Sequence, residues 1–408
     1  MMHRQLPTTA QTIDREILTP LARAAIECST LRLETWQITT LSVQGRRTVF
    51  RFAGTGYDGV TARPWSLILK EIKAPESADA PDTDEQSWCY WPRESLLYEA
   101  GVPQSLKSGS HHSGLRSPRC FGVMEPTPDL RWIWLEDLQD CYDGDWPLER
   151  YALAAYHLGI FNGRYLTGKS MPIASWLTDK GLRSEAVNKA ALERLRDPEI
   201  WAHTLLRSAF PTPVLPELER LVADRERILA GAAELPRTFC HLDAHSENMA
   251  AIKEATHGNE SGAEGNSTED HCTKDHDTEI TVLFDWALSG YGAPGEEISR
   301  LVWAALLDFK VDIAEAERLE EMVFAGYIQG LTDAGWQADP AQVRYAYLMS
   351  SVFIFTLDME AVDHAFDKDV EGLEKYYGWS QARMVEQSAQ VTYLLLERAD
   401  ELRAMLDT

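Results

Sequence analysis

Two carboxylates and one carboxamide stand out by their spacing. Asp243 lies in His241-Leu242-Asp243-Ala244-His245-Ser246-Glu247-Asn248, so Asn248 follows it by five positions. Asp285 comes later, directly after the apolar run Thr281-Val282-Leu283-Phe284. An Asp facing an acceptor hydroxyl, plus an Asn and a second Asp on divalent cations, are the parts that phosphoryl transfer from a Mg-nucleotide requires. Asp243 would accept or orient the hydroxyl proton. Mg²⁺ favours hard oxygen donors in octahedral geometry, which suits Asn248 and Asp285 as metal ligands. Each segment alone is a weak signal, and an Asp in a loop often only caps a turn. Their order along one chain is the stronger argument.

Such residues need elements to hold them. Helical spacing spans about 11–26. Strand patterns follow at 36–43, 48–52 and 66–72, with a turn at 44–47. Lys70 ends the apolar run Leu67-Ile68-Leu69 and is the candidate for the phosphates, with Lys73 as competitor. A helix from Arg93 would carry its acidic partner, Glu94, with Glu99 as fallback. Two more strands are expected at 119–124 and 132–136. From Pro147 onward helices dominate, at 183–197, 215–232, 296–309, 313–330, 340–361 and 380–405. Between 238 and 286 two short strands carry Asp243 and Asp285. Gly54-Thr55-Gly56-Tyr57-Asp58-Gly59 matches a phosphate-loop pattern letter by letter but lies between the wrong strands, so it reads as a turn.

A β-rich half followed by a helical half predicts an α+β, bilobal, protein-kinase-like fold. Residues 1–34 form a helical extension, 35–138 a nucleotide-binding lobe, and 139–408 a helical lobe. Within the last, residues 254–277 are polar, acidic and nearly free of apolar side chains, which predicts a disordered insertion. It holds His257, His271, Cys272 and His276, whose spacing fits no common zinc pattern.

Over residues 36–305 the chain resembles the aminoglycoside phosphotransferase and choline-kinase branch of the protein-kinase-like superfamily. That branch shows His-Gly-Asp-Leu-His-x-x-Asn where this chain reads His-Leu-Asp-Ala-His-Ser-Glu-Asn. The resemblance implies a kinase that moves the γ-phosphate of ATP or GTP, with Mg²⁺, to an alcohol on an aminoglycoside or related antibiotic, a sugar or an amino alcohol. It gives His241 a structural role. It puts His245 where protein kinases carry a Lys near the γ-phosphate, and it makes Trp286-Ala287 stand for the Phe-Gly after the metal-binding Asp. Gly45 would lie at the phosphate-covering hairpin, where Arg46 or Arg47 could touch phosphate. The backbone of Glu136 and Leu138 would pair with the base at the inter-lobe hinge. Glu297 takes the position of a structural cap. Leu242 before the Asp, and Gly292-Ala293-Pro294 so soon after Asp285, leave no activation segment. Asp140, Asp143, Asp145, Asp308 and Glu360 are acids available for an acceptor pocket. The rival reading is a nucleotide-binding scaffold or pseudokinase, which would have no need to keep Lys70, Asp243, Asn248 and Asp285 together.

Composition bounds the partners. A net charge of −25 over 408 residues argues against a nucleic-acid surface, which needs a concentrated basic face. No run of 18 apolar residues predicts a membrane span. The N-terminus lacks an apolar leader pattern, and the six Cys are scattered without a Cys-x-x-Cys pair. These features predict a cytoplasmic protein with reduced thiols. They leave the oligomeric state open.

Overall fold

Period-two alternation builds a five-stranded antiparallel sheet in the first third of the chain. Its strands are β1 (Arg32–Gln44), β2 (Arg47–Tyr57), β3 (Ala62–Lys73), β5 (Cys120–Thr127) and β6 (Leu130–Leu135), in the order β1-β2-β3-β6-β5. A short strand β4 (Leu115–Arg116) precedes β5. The structure, a computed structural model, describes residues 9–77, 79–107, 114–142, 144–179, 185–255, 277–337, 339–357 and 359–407. Asp143 and the four insertion residues His257, His271, Cys272 and His276 lie outside them.

The turn from β1 to β2 is Gly45-Arg46, closed by the Gln44–Arg47 pair, and Gly45 takes φ 57° where a side chain would be strained. Helix α1 (Arg15–Ala25) starts at Asp14, whose carboxylate accepts from the backbone N–H groups of Glu16 and Ile17. It lays Leu18 and Leu21 onto one sheet face, among Trp65, Leu67, Trp132 and Trp134. Trp65, Trp132 and Trp134 are therefore core, whereas Trp88 is exposed. Helix α2 (Arg93–Glu99) takes the other face, where Ile72, Leu97, Ile133 and Leu135 join the core of the helical lobe. One hydrophobic core thus runs across the lobe boundary and fixes β3 and α2 against the residues that follow.

Several boundaries differ from the sequence expectation. β1 begins at Arg32 rather than after residue 34, because Leu33 pairs with Gly56 and buries its side chain. Gly54 and Gly56 belong to β2 and not to a turn. A Cβ on Gly54 would sit 2.0 Å from the Thr35 carbonyl oxygen, beside the register shift between Leu33 and Thr35. Glycine is there to let two backbones approach. Finally, Glu254, Ala255 and Asp277 are paired strand residues, so only 256–276 remain of the insertion, outside the described part.

The second lobe contains α3 (Leu148–Leu166), α4 (Glu185–Leu195), α5 (Pro198–Ala202), α6 (Thr204–Ala209), α7 (Leu215–Ala232), α8 (Ile298–Leu307), α9 (Ala316–Asp333), α10 (Pro340–Phe355), α11 (Glu360–Phe366), α12 (Val370–Tyr377) and α13 (Gln381–Leu406). The helix expected over 340–361 ends at Phe355, and Met359 then adopts φ 48° before α11 starts. By length and composition Pro340–Phe366 could cross a membrane, but 88% of its most apolar window is buried in the fold, as in a core helix. α3 and α9 meet backbone to backbone. A Cβ on Gly159 would lie 2.3 Å from Tyr327 O, and one on Gly330 2.1 Å from Tyr156 O. This close pair supports four short strands: β7 (Thr238–Cys240), β8 (Met249–Ala255), β9 (Asp277–Leu283) and β10 (Gly290–Gly292). β7 pairs with β10. β8 and β9 form an antiparallel ribbon, with β4 parallel along β9. The loops leaving β7 and β9 carry Asp243 and Asp285 to the lobe boundary.

Candidate active site

Lys70 reaches inward from β3 because its strand position alternates with Leu69 and Glu71 on a sheet covered on both faces. Its Nζ lies 2.6 Å from Glu94 Oε2 on α2 and 2.8 Å from Asp285 Oδ1. Lys70 and Glu94 are buried, at 6% and 1% exposure. Burial alone would discharge the ammonium, but Asp285 and Glu94 more than offset it and raise its pKa. Burial likewise works against the Asp285 carboxylate, yet Lys70 and then Arg47 bring it down to about 2. Burial pushes the Glu94 carboxyl up. One cation therefore holds two carboxylates from different lobes. Lys73, the competitor, is exposed and pairs with Glu71, and Glu99 pairs with Arg131.

The helix bearing Glu94 is anchored by a residue that sequence reasoning passed over. Arg93 is fully buried and donates from Nε to Trp176 O at 3.0 Å and from Nη1 to Ala287 O at 3.2 Å. It also donates to the carbonyls of Ser87 and Trp88. Burial without a carboxylate partner lowers its pKa to about 10. An Arg at the start of a helix beside the predicted Glu was a visible signal, but its carbonyl partners are distant in sequence.

The loop after β7 is held from below. Glu297, just before α8, accepts from His241 N–H at 2.7 Å and from Asn162 Nδ2 at 2.7 Å. It makes no side-chain cap to its own helix. Its role is to prop this loop, which corrects the expectation of a cap. Burial pushes its carboxyl up to about 7. The His241 ring accepts from Asp243 N–H at Nδ1 (3.3 Å), so Nε2 carries the proton that it donates to Phe284 O at 2.9 Å. Burial lowers its pKa to about 4, and the ring stands edge-on to Trp286. His241 thus ties the loop of Asp243 to the segment of Asp285. Leu242 takes φ 62°, at a position where the resembled family has Gly. A bulky residue there stores about 1–2 kcal/mol of strain.

Asp243 has both oxygens engaged. Oδ2 accepts from Asn248 Nδ2 at 3.0 Å, and Oδ1 lies 3.1 Å from Arg300 Nη1 on α8. Asn248 Nδ2 also donates to Asp243 O, and Phe284 N–H donates to Asn248 O at 3.0 Å. That backbone bond continues the β8–β9 ribbon and brings Asn248 beside Asp285, which itself adopts φ 60°. Asp tolerates this conformation better than most residues. Arg300 was not anticipated. The available signal was its place three residues after Glu297, on the same helix face.

A cleft of about 430 Å³ lies between the lobes, lined among others by Gln44, Arg47, Lys70, Glu94, Asn248 and Asp285. Leu135, Glu136 and Leu138 line it from the connecting segment. Glu136 N–H already donates to Arg119 O, and its side chain forms a two-pronged pair with Arg116 at 2.7 and 3.1 Å. Gly45 sits at the turn itself, with Gln44 and Arg47 beside it reaching the cleft. Arg46 instead pairs with Asp82 at the surface. The structure brings Lys70, Glu94, Asn248 and Asp285 to one cleft, and the loop places Asp243 against Asn248. A nucleotide fits this lining: apolar walls at Val49, Ile68, Leu135 and Met249, and a cation at the deep end. A divalent ion fits the donor chemistry of Asn248 and Asp285, two oxygen-bearing side chains with no thiol or imidazole between them.

His245 faces a different group. A nitrogen of its ring and carboxylate oxygens of Glu247 and Asp308 all lie within 4.8 Å of one another. Burial, then Glu247, raises the Asp308 carboxyl to about 6. Of the other acids considered, Asp140 accepts from Tyr142 N–H and Ala251 N–H and lines the cleft between the lobes, while Asp145 is exposed and outside it.

No protein-family model matches the sequence, and no curated protein does. Among solved structures the chain is similar to an aminoglycoside phosphotransferase from Alicyclobacillus acidocaldarius, with TM-score 0.48 and 14% identity over 100% of this chain and 98% of that one. It is similar to choline kinase from Cryptosporidium parvum Iowa II, with TM-score 0.49 and 10% identity over 96% and 97%. A third similar structure is an amicoumacin kinase in complex with AMP-PNP and Ca²⁺, with TM-score 0.45 and 12% identity over 92% and 96%.

Proposed function

We propose that this chain is a small-molecule kinase that transfers the γ-phosphoryl group of a Mg-nucleotide, ATP or GTP, to a hydroxyl group. The observation that carries this reading is the meeting of Lys70, Glu94 and Asp285 across the lobe boundary, in the cleft that Asn248 also lines.

In this reading Lys70 binds the nucleotide phosphates and Glu94 holds the ammonium in place. Asn248 and Asp285 would hold Mg²⁺, which when bound neutralises charge building on the phosphate oxygens. Asp243 orients the acceptor hydroxyl. As its oxygen bonds to phosphorus, its proton passes to Asp243 and the bond to the nucleoside diphosphate breaks. Little covalent work falls to the protein, so positioning and charge compensation supply most of the rate. The Glu247 and Asp308 carboxylates near His245 favour an acceptor that carries a cation, an amino alcohol or an aminoglycoside-like molecule, over a neutral sugar.

The test is incubation with Mg-ATP and panels of aminoglycosides, amino alcohols, sugars and nucleosides, read by mass spectrometry for gain of one phosphoryl group. Transfer to at least one cationic alcohol is expected, and it should vanish in Asp243→Ala while calorimetry shows the nucleotide still bound. Tight nucleotide binding without transfer to any acceptor would leave a binding scaffold instead.

A further inference from the structure

Resting on the proposed function, the geometry assigns Arg300 as the positioning residue that fixes the acceptor-facing carboxylate of Asp243. Three observations converge on it. Its Nη1 lies 3.1 Å from Asp243 Oδ1, with the two side chains only 23% and 18% exposed. Its guanidinium carbon stands 5.8 Å from the ring centroid of Phe355 on α10, so the cation is held between a carboxylate and an aromatic ring. Its Nε is buried without a hydrogen-bond partner, which leaves it a donor in reserve.

The sequence spacing explains why this grip is rigid. Glu297 and Arg300 are three apart and share a face of the first turn of α8. Their targets, His241 N–H and Asp243 Oδ1, are two apart in the loop, on either side of Leu242. One helix turn therefore holds the loop at two points, by its backbone and by its reactive side chain. The buried Ser299–Ser350 contact at 2.8 Å ties the same turn to α10.

The two oxygens of Asp243 are consequently unequal. Oδ1 is engaged by a fixed cation, whereas Oδ2 is engaged by a neutral amide N–H of Asn248. Both bonds end on the same carboxylate, but only the one from Arg300 joins opposite charges, so it is the stronger of the two. Oδ2 is thus the oxygen to which an acceptor hydroxyl donates, in place of the Asn248 amide. The arrangement also accounts for the site's charge. His245 stands where protein kinases carry a lysine, and it lies among the acids Glu247 and Asp308. Arg300 brings a cation to the same loop from a different element, α8, at Asp243.

The test compares wild type with Arg300→Ala, Arg300→Lys and Arg300→Gln, using Mg-ATP and the acceptor identified by the product screen. Wild-type turnover carries the proposed function, and the variant-to-wild-type ratio carries Arg300. Arg300→Ala should lower kcat by about 10²-fold, the scale of a misplaced proton acceptor. Nucleotide affinity and melting temperature should stay near wild type. Arg300→Lys should recover more of kcat than Arg300→Gln, because the charge is part of the role. Unchanged kcat in Arg300→Ala overturns the inference. So does equal recovery by Gln and Lys, or a loss that appears only in nucleotide affinity and melting temperature.

Discussion

Removing the ammonium of Lys70 should leave two carboxylates facing each other in a buried site. Glu94 and Asp285 each touch Nζ, at 2.6 and 2.8 Å, so their oxygens are on the order of 5 Å apart or closer. At an effective dielectric of ~20 two such charges repel by about 3 kcal/mol. That agrees with the ~3–5 kcal/mol usually lost when one partner of a buried ion pair is deleted. Lys70→Met should therefore destabilise the protein by about 3 kcal/mol at pH 8. The pair can relieve the repulsion by taking up one proton. The sign follows from linkage. In wild type Asp285 is held at about 2, so its stabilisation is complete above the unfolded carboxylate range and is lost only as pH falls toward 2. In Lys70→Met the folded pair binds a proton more readily than the unfolded chain does. Its stability then rises as pH falls, and the deficit against wild type narrows between pH 8 and pH 5. The assay is urea unfolding followed by tryptophan fluorescence at both pH values. Adding Glu94→Gln to Lys70→Met should recover most of the loss, since a single carboxylate remains. A deficit below about 0.5 kcal/mol that does not change with pH would be that of an ordinary surface substitution, and it would refute the convergence of these three side chains.

Two further substitutions probe the supports. Glu297→Ala leaves His241 N–H buried without its acceptor, at about 1–3 kcal/mol for an unsatisfied group, and leaves Asn162 Nδ2 with Phe239 O as its oxygen acceptor; a fall in melting temperature together with faster hydrogen exchange at residues 241–248 is expected, and an unchanged exchange pattern would count against Glu297 as the prop. Gly54→Ala puts a methyl 2.0 Å from the Thr35 carbonyl, backbone against side chain, so β1 and β2 must part. A loss of about 1–3 kcal/mol on the scale of overpacking is expected in thermal or urea melts, and a neutral or stabilising effect would contradict the close strand approach.

The parts of this site that could be read from the sequence are those whose signal is local. Asp243 and Asn248 sit five apart on one loop, and Asp285 ends an apolar strand, so chemistry and position coincide in short windows. Lys70 and Glu94 followed from a strand that precedes a helix. The residues that escaped notice act through distant partners. Arg93 is satisfied by carbonyls of residues 87, 88, 176 and 287, and no periodicity announces such a set. Arg300 matters because α8 crosses behind a loop more than fifty positions earlier, a matter of packing and not of pattern. Glu297 was noticed, but its role was misread because a helix-start acid usually serves its own helix. Here two buried donors of other elements, His241 N–H and Asn162 Nδ2, compete for it and win. The glycines at 54 and 56 show the same limit: their letters match a turn or a phosphate loop, while a neighbouring strand's carbonyl sets the actual requirement.

The central claim is that one cleft gathers Lys70, Asn248 and Asp285 around a metal-bound nucleotide, with Asp243 turned toward the acceptor. A crystal structure with Mn²⁺ and a non-hydrolysable ATP analogue, phased for the anomalous signal of manganese, tests it most directly. Manganese density bridging Asn248 and Asp285, with the nucleotide phosphates beside Lys70, is the result expected. Manganese at another set of ligands, or a nucleotide bound away from this cleft, would contradict it.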